Sequence, residues 1–332
     1  MMEASVRKSK LVCLLLVVLG VIAPLLIRND YIRHVLVLTL IFAIYSLSYD
    51  LIIGGMGEVS LGHQAFFGAG AYIAGLLSVR LHVPVWLCLA GAVAGTGILG
   101  LFIGYVSLRM RGAYLAIVTL GFAMMLQIIV MGWRKITYGQ MGVRGIAPPS
   151  ISLPFLPECR FDSPLSYYYL ALFFLIFVVY FLSRLKQTRF GRAVTGLREN
   201  EERAVLLGID PLGHFLAMFT LAGMVAGVAG FAYAHYIGFV DPKVLGVYYM
   251  GTGLIMVIVG GSGTVPGPIL GAFVFFFVSE WLRIAQEIRM VFFGLVLLAA
   301  IILMPEGIYP KFAGLWRKTV GREKPGPPLA ES

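Results

Sequence analysis

A chain of 332 residues that is 59% hydrophobic and only 13% charged, with a mean hydropathy of +0.90, has about half the charge of a soluble domain. That composition excludes an ordinary soluble enzyme and describes a polytopic membrane protein, whose helices its 40 glycines suit for close packing in lipid. The net charge of +10 is no sign of nucleic-acid binding, because the basic residues lie in short loops between apolar runs, as the positive-inside rule requires.

The pattern predicts an all-α bundle of about ten spans. Arg7, Lys8 and Lys10 precede an apolar run at 11–27 that lacks a small-x-small cleavage site and reads as a retained first span. Further spans are predicted at 34–53, 64–79, 84–107, 113–132, 167–182, 215–239, 247–259, 269–282 and 290–304. The third and eighth are short enough to be re-entrant. Segment 133–166, rich in proline, forms the longest outer loop, with little regular helix expected. The membrane-spanning domain covers 1–310, and a basic, proline-rich tail follows at 311–332. Counting Lys and Arg gives 16 on the inner side and 10 on the outer, so both termini are placed in the cytoplasm.

Between the sixth and seventh spans lies the longest charged run, 183–210, with six basic residues and four acids. Each charge would cost roughly 2.5–3.5 kcal/mol at mid-membrane, so the run emerges on the cytoplasmic side. Ala193, Leu197, Ala204 and Leu207 fall near helical spacing with charges between them, which predicts one or two short helices outside the bilayer. Such a loop is either a solvated connection or a docking surface, and docking is the preferred reading.

Two stretches interrupt the apolar pattern in matching ways. IIGGMGEVSLGHQAFFGAG at 52–70 and VIVGGSGTVPGPILGAF at 257–273 both run from apolar residues through Gly-Gly-x-Gly and back to apolar residues. Glycine there permits tight reversal of the chain at the membrane edge. Broken segments in corresponding halves point to a weak two-fold internal repeat with a transport pathway at its centre. The candidate pathway residues are Asp50, Gly54, Gly55, Gly57, Glu58, Ser60, Gly62 and His63 in the first half, and Gly260, Gly261, Gly263 and Gly267 in the second. No hydrolase, metalloprotease or P-loop motif is present, so no catalytic residue or ATPase site is assigned. Neither the three cysteines nor the five scattered histidines form a metal pattern, and no cofactor is expected in this chain. Glu280 is expected to pair with Arg283 near the outer edge.

Four blocks, GEVSLGHQAFFGAGAY (57–72), MRGAYLAIVTLGFA (110–123), TRFGRAVTGLRENEERAVLLGID (188–210) and VIVGGSGTVPGPILGA (257–272), resemble the LivM-type permeases of branched-chain amino acid ABC importers, in the same order. The looser block GLVLLAAIILMPEGIYP (294–310) fits the same family. The resemblance implies a type II ABC importer fold, similar to that of the vitamin B12 permease. It implies that the cytoplasmic loop, 184–214, couples to the ATP-binding subunits through Gly191, Arg192, Arg198, Glu199, Asn200, Ala204 and Gly208. The partners implied are two ABC ATPases that bind the ATP, a second permease of the LivH type and a periplasmic substrate-binding protein, in a bacterial inner membrane. The solute implied is a branched-chain or related hydrophobic amino acid. Rival readings are a permease for urea or short amides, a stand-alone secondary transporter or channel, and a membrane subunit with no pathway. Two departures stand out: family members usually carry Asn at the place of Asp50 and Gln at that of Glu58. The extra negative charge either favours an amine or cationic substrate or is satisfied by neighbours.

Overall fold

The computed structural model describes residues 20–22, 24–25, 27, 29–151, 159–281, 295 and 307–311. Its helices are α1 (Asp30–Asp50), α2 (Gln64–Leu81), α3 (Val85–Ser107), α4 (Ala113–Gly132), the short α5 (Arg134–Thr137), α6 (Pro164–Gln187), α7 (Arg189–Glu199), α8 (Glu201–Leu206), α9 (Pro211–Ile237), α10 (Val247–Gly260) and α11 (Pro266–Trp281). Among the described residues, six helices (α1 with its continuation to Met56, α2, α3, α4, α6 and α9) are long and apolar enough to cross a membrane, while α10 and α11 are shorter apolar helices. The predicted first and tenth spans fall almost entirely outside the described residues, as do Arg283 and nearly all of the tail.

The helix starts follow from local chemistry. Asn29 caps α1, its side chain accepting from the Tyr31 amide at 2.9 Å. Ser163 and Asp210 cap α6 and α9, and proline stands at the first helical position of both, where no amide is needed. The bundle centres on α1 and α9, the most buried of the long helices, whereas α4 is mostly exposed at its edge. Alpha-helices α2, α3 and α9 meet through small residues: a Cβ on Gly70 would lie 2.7 Å from the Cα of Gly227, so the backbones touch there. An aromatic core fills the middle, with Phe42 of α1 against Phe67, Tyr249 and Phe276 from α2, α10 and α11.

The charged loop forms two helices, α7 and α8, divided at Asn200. At the opposite end of the bundle the loop after α4 contributes β1 (Val143–Arg144), which pairs antiparallel with β4 (Phe239–Val240), the strand after α9. A second two-residue pairing joins β2 (Ser150–Ile151) to β3 (Cys159–Arg160) within that loop.

Candidate functional site

The first glycine break begins where α1 widens into a π-helical turn, Leu51–Met56, and ends at Gly57 with φ +77°. Such widened turns are frequent at functional sites. The second break separates α10 from α11, and Gly263 within it has φ +81°. The fold brings the two breaks together. A Cβ on Gly54 would overlap the Gly263 amide nitrogen, so side chains at that crossing are sterically excluded.

Asp50 sits at the junction, 5% exposed, and its Oδ1 accepts the Gly263 amide at 2.8 Å. A buried carboxylate needs both hydrogen bonds and compensating charge. The charge comes from the adjoining loop, whose Lys186 and Arg198 act electrostatically on Asp50. Lys186, at the end of α6, donates from Nζ to the Gly263 carbonyl at 2.9 Å. Arg198, at the end of α7, donates from Nη1 to the Gly54 carbonyl. Hydrogen bonds to charged groups of this kind contribute about 1.5–3 kcal/mol each. The Arg198 side chain reaches the junction past Gly57, where a Cβ would lie 3.1 Å from its Cγ, and ends where a Cβ on Gly263 would lie 3.0 Å from Nη1. Glycine at both positions leaves the passage open.

Glu58 is held separately. Its Oε2 accepts the Gly112 amide at 2.9 Å, and Arg111 stands 3.8 Å from its Oε1. Arg111 also pairs with Glu201 of α8 at 2.9 Å and lies 4.7 Å above the Phe215 ring of α9. Both Asp50 and Glu58 therefore find hydrogen-bond partners within the chain.

Beyond Glu58 the chain packs on α1 and α4. Tyr49 donates to the Ser60 carbonyl, the Leu61 amide donates to Thr119 at 3.1 Å, and Gly62 lies against the Thr119 backbone. His63 is fully buried and stacks on Tyr45 and Tyr49. The Ser48 hydroxyl lies 2.6 Å from the Tyr45 carbonyl and 2.9 Å from Nε2 of His63, within hydrogen-bond reach of both. In the second break the Thr264 hydroxyl bridges the Gly261 carbonyl and the Gly267 amide, and Gly260 packs against Gly267. Gly55 faces Met218 of α9, 3.0 Å from the position a Cβ would take.

The coupling-loop candidates divide by location. Gly191 is buried where α7 folds back on Leu185 and Lys186, and Ala204 is the buried residue of α8. Asn200 caps α8 by accepting from the Arg203 amide at 2.8 Å, and Gly208 makes a turn with φ +81°. Arg192, Arg198 and Glu199 are all exposed, and of these Arg198 turns its guanidinium to the Gly54 carbonyl. Leu206 and Leu207, 87% and 82% exposed, were not selected from the sequence. The apolar stripe predicted through Leu207 continues only to Ala204, because the break at Asn200 restarts the helical phase. At the far end Arg134, Tyr138, Gln140, Met141 and Arg144 line an open cleft of about 730 Å³.

Residues 31–301 match the family model described as the branched-chain amino acid transport system permease component. The high-affinity branched-chain amino acid transport system permease protein LivM of Escherichia coli is 30% identical over 328 residues, covering 93% of this chain and 76% of the relative. LivH of Salmonella typhimurium, a permease protein of the same kind of system, is 24% identical over 286 residues, covering 80% of this chain and 90% of the relative. A probable LivM of Methanocaldococcus jannaschii is 25% identical over 154 residues, 42% of this chain and 45% of the relative. No solved structure matches.

Proposed function

The chain belongs to the family of branched-chain amino acid transport system permease components, and from that premise we propose that it is the membrane-spanning subunit of an ATP-driven importer for branched-chain or related hydrophobic amino acids. The observation that carries the reading is the seating of α7 and α8 on the glycine-break junction through Arg198 and Arg111. A helical unit that touches both outside partners and the break is what an ATP-coupled permease needs. A carrier working alone has no use for it.

In this reading the chain lies in a bacterial inner membrane with about ten spans, a type II importer fold, a weak two-fold repeat and both termini in the cytoplasm. It has no ATPase site of its own. The assembly holds two ABC ATPases, one of which seats α7–α8 with Leu206, Leu207, Arg192 and Glu199 as the accessible contacts. A LivH-type permease completes a heterodimer, in line with the similarity of this chain to LivH proteins. A periplasmic binding protein delivers the solute to the outer loop at 133–166, where Arg134 and Arg144 offer positive charge.

The experiment is purification of the tagged chain from its native membrane, identification of what travels with it, and uptake by the reconstituted assembly. Two ATPases, a second permease and ATP-dependent uptake of leucine, isoleucine or valine are the expected results. A chain that purifies alone and moves solute without ATP overturns the reading, and uptake of urea in place of amino acids moves it to the amide-permease alternative.

A further inference from the structure

The geometry points to a cation clamp in which Lys186 and Arg198 together hold the two glycine breaks against each other, so that one displacement of the α6–α7 corner releases both. The clamp rests on the importer reading, which supplies the displacement.

The two cations sit on one stiff corner. Thr188 separates α6 from α7, its hydroxyl accepting from the Gly191 amide at 3.1 Å and donating to the Leu185 carbonyl at 2.7 Å. Arg192 returns from α7 to the Gln187 carbonyl at 2.6 Å, and Gly191 has no room for a side chain against Leu185. Lys186 and Arg198 therefore move as a unit. Their acceptors do not, for Gly54 follows α1 and Gly263 lies between α10 and α11. Both acceptors are main-chain carbonyls at helix breaks, where a regular helix would have satisfied them internally. Asp50 completes the clamp from the α1 side by taking the Gly263 amide. Lys186 and Arg198 also retain solvent exposure on the loop side, so water replaces the carbonyls when the corner withdraws.

The test uses the complete assembly with its ATPases in lipid nanodiscs and proteoliposomes. Hydrogen exchange without nucleotide is followed at residues 51–58 and 260–265 in wild type, Lys186→Met, Arg198→Met and Arg198→Lys, with Arg184→Met as a control on the same helix. Exchange at both segments is expected to rise about tenfold in either methionine variant, including the segment that the substituted residue does not touch. Arg184→Met should match wild type, because among the described residues Arg184 bonds Tyr180 and neither glycine break. Uptake per ATP hydrolysed is expected to fall in Arg198→Met and to recover in Arg198→Lys, which restores the cation; a static cap would lower stability with the uptake ratio unchanged. Lys186→Met carries the test if Arg198→Met fails to assemble, read at residues 51–58, which Lys186 does not touch. Wild-type exchange at both segments in both methionine variants overturns the clamp, as does a rise confined to the break that each cation touches. Absence of ATP-driven uptake by the wild-type assembly is a separate result: it overturns the importer reading, while the nucleotide-free exchange still decides the clamp.

Discussion

The Gly263 amide donates to the Asp50 carboxylate at 2.8 Å across a sequence separation of 213 residues. That bond joins the end of α1 to the turn between α10 and α11, and its acceptor is a carboxylate where the sequence resemblance implies an amide. The acceptor oxygen is common to both residue types, so the hydrogen bond survives the exchange and only the charge differs.

Asp50→Asn is therefore expected to keep the junction, and Asp50→Ala to lose it. Alanine leaves the Gly263 amide without its acceptor and Lys186 and Arg198 without a counter-charge, a penalty of about 1–3 kcal/mol. Thermal unfolding in detergent should show a lowered midpoint for Asp50→Ala and one near wild type for Asp50→Asn. A midpoint equally lowered in both would mean that the charge, and not the acceptor, holds the junction.

Arg111 joins Glu58, Glu201 and the Phe215 ring, whereas Glu201 meets Arg111 at a half-exposed ion pair. Removing Glu201 with alanine should change stability by less than about 1 kcal/mol, the range of exposed pairs. Arg111→Ala loses three contacts and, among the described residues, leaves Glu58 with the Gly112 amide alone, so its loss should be clearly larger. Unfolding midpoints of the two single variants and the double variant measure the difference, and equal losses would deny Arg111 its bridging role.

The helices and breaks were legible in the sequence because their signals are local. The apolar run at 113–132 became α4 with the same limits, and Gly-Gly-x-Gly marked both interruptions. The partners of Asp50 and Glu58 were not legible, since each is fixed by a contact between segments far apart in sequence. Arg198 illustrates the limit. In a charged run nothing local distinguishes an arginine that turns inward to a carbonyl from one that faces an outside partner. The exposure of Leu207 was hidden for another reason, because a single periodicity was carried through Asn200, where the helix ends and a new one begins.

Leu206 and Leu207 expose large aliphatic side chains on a loop outside the apolar bundle. If they are contacts for an ATPase, Leu206→Glu and Leu207→Glu should abolish its co-purification, since central apolar contacts contribute about 2 kcal/mol or more. Stability of the chain alone should move by less than about 0.5 kcal/mol, as at other surface positions. Retention of the ATPase at wild-type stoichiometry in the double variant would remove these residues from the interface.

Gly54 and Gly121 offer the sharpest contrast among the glycines. A methyl group on Gly54 has no room, because it would overlap both the Gly263 amide and the Asp50 carboxylate. Gly54→Ala must therefore push the breaks apart, with an overpacking penalty of about 1–3 kcal/mol and disruption of the Arg198 and Asp50 contacts. Gly121 lies within α4, and among the described residues a Cβ there meets nothing within 4 Å. Alanine is favoured over glycine in a helix interior by about 1 kcal/mol, so Gly121→Ala should leave stability unchanged or raise it. Uptake and unfolding measured side by side check the pair: Gly54→Ala should lose both transport and stability, and Gly121→Ala neither. Normal transport by Gly54→Ala would mean that the breaks need not touch for the pathway to work.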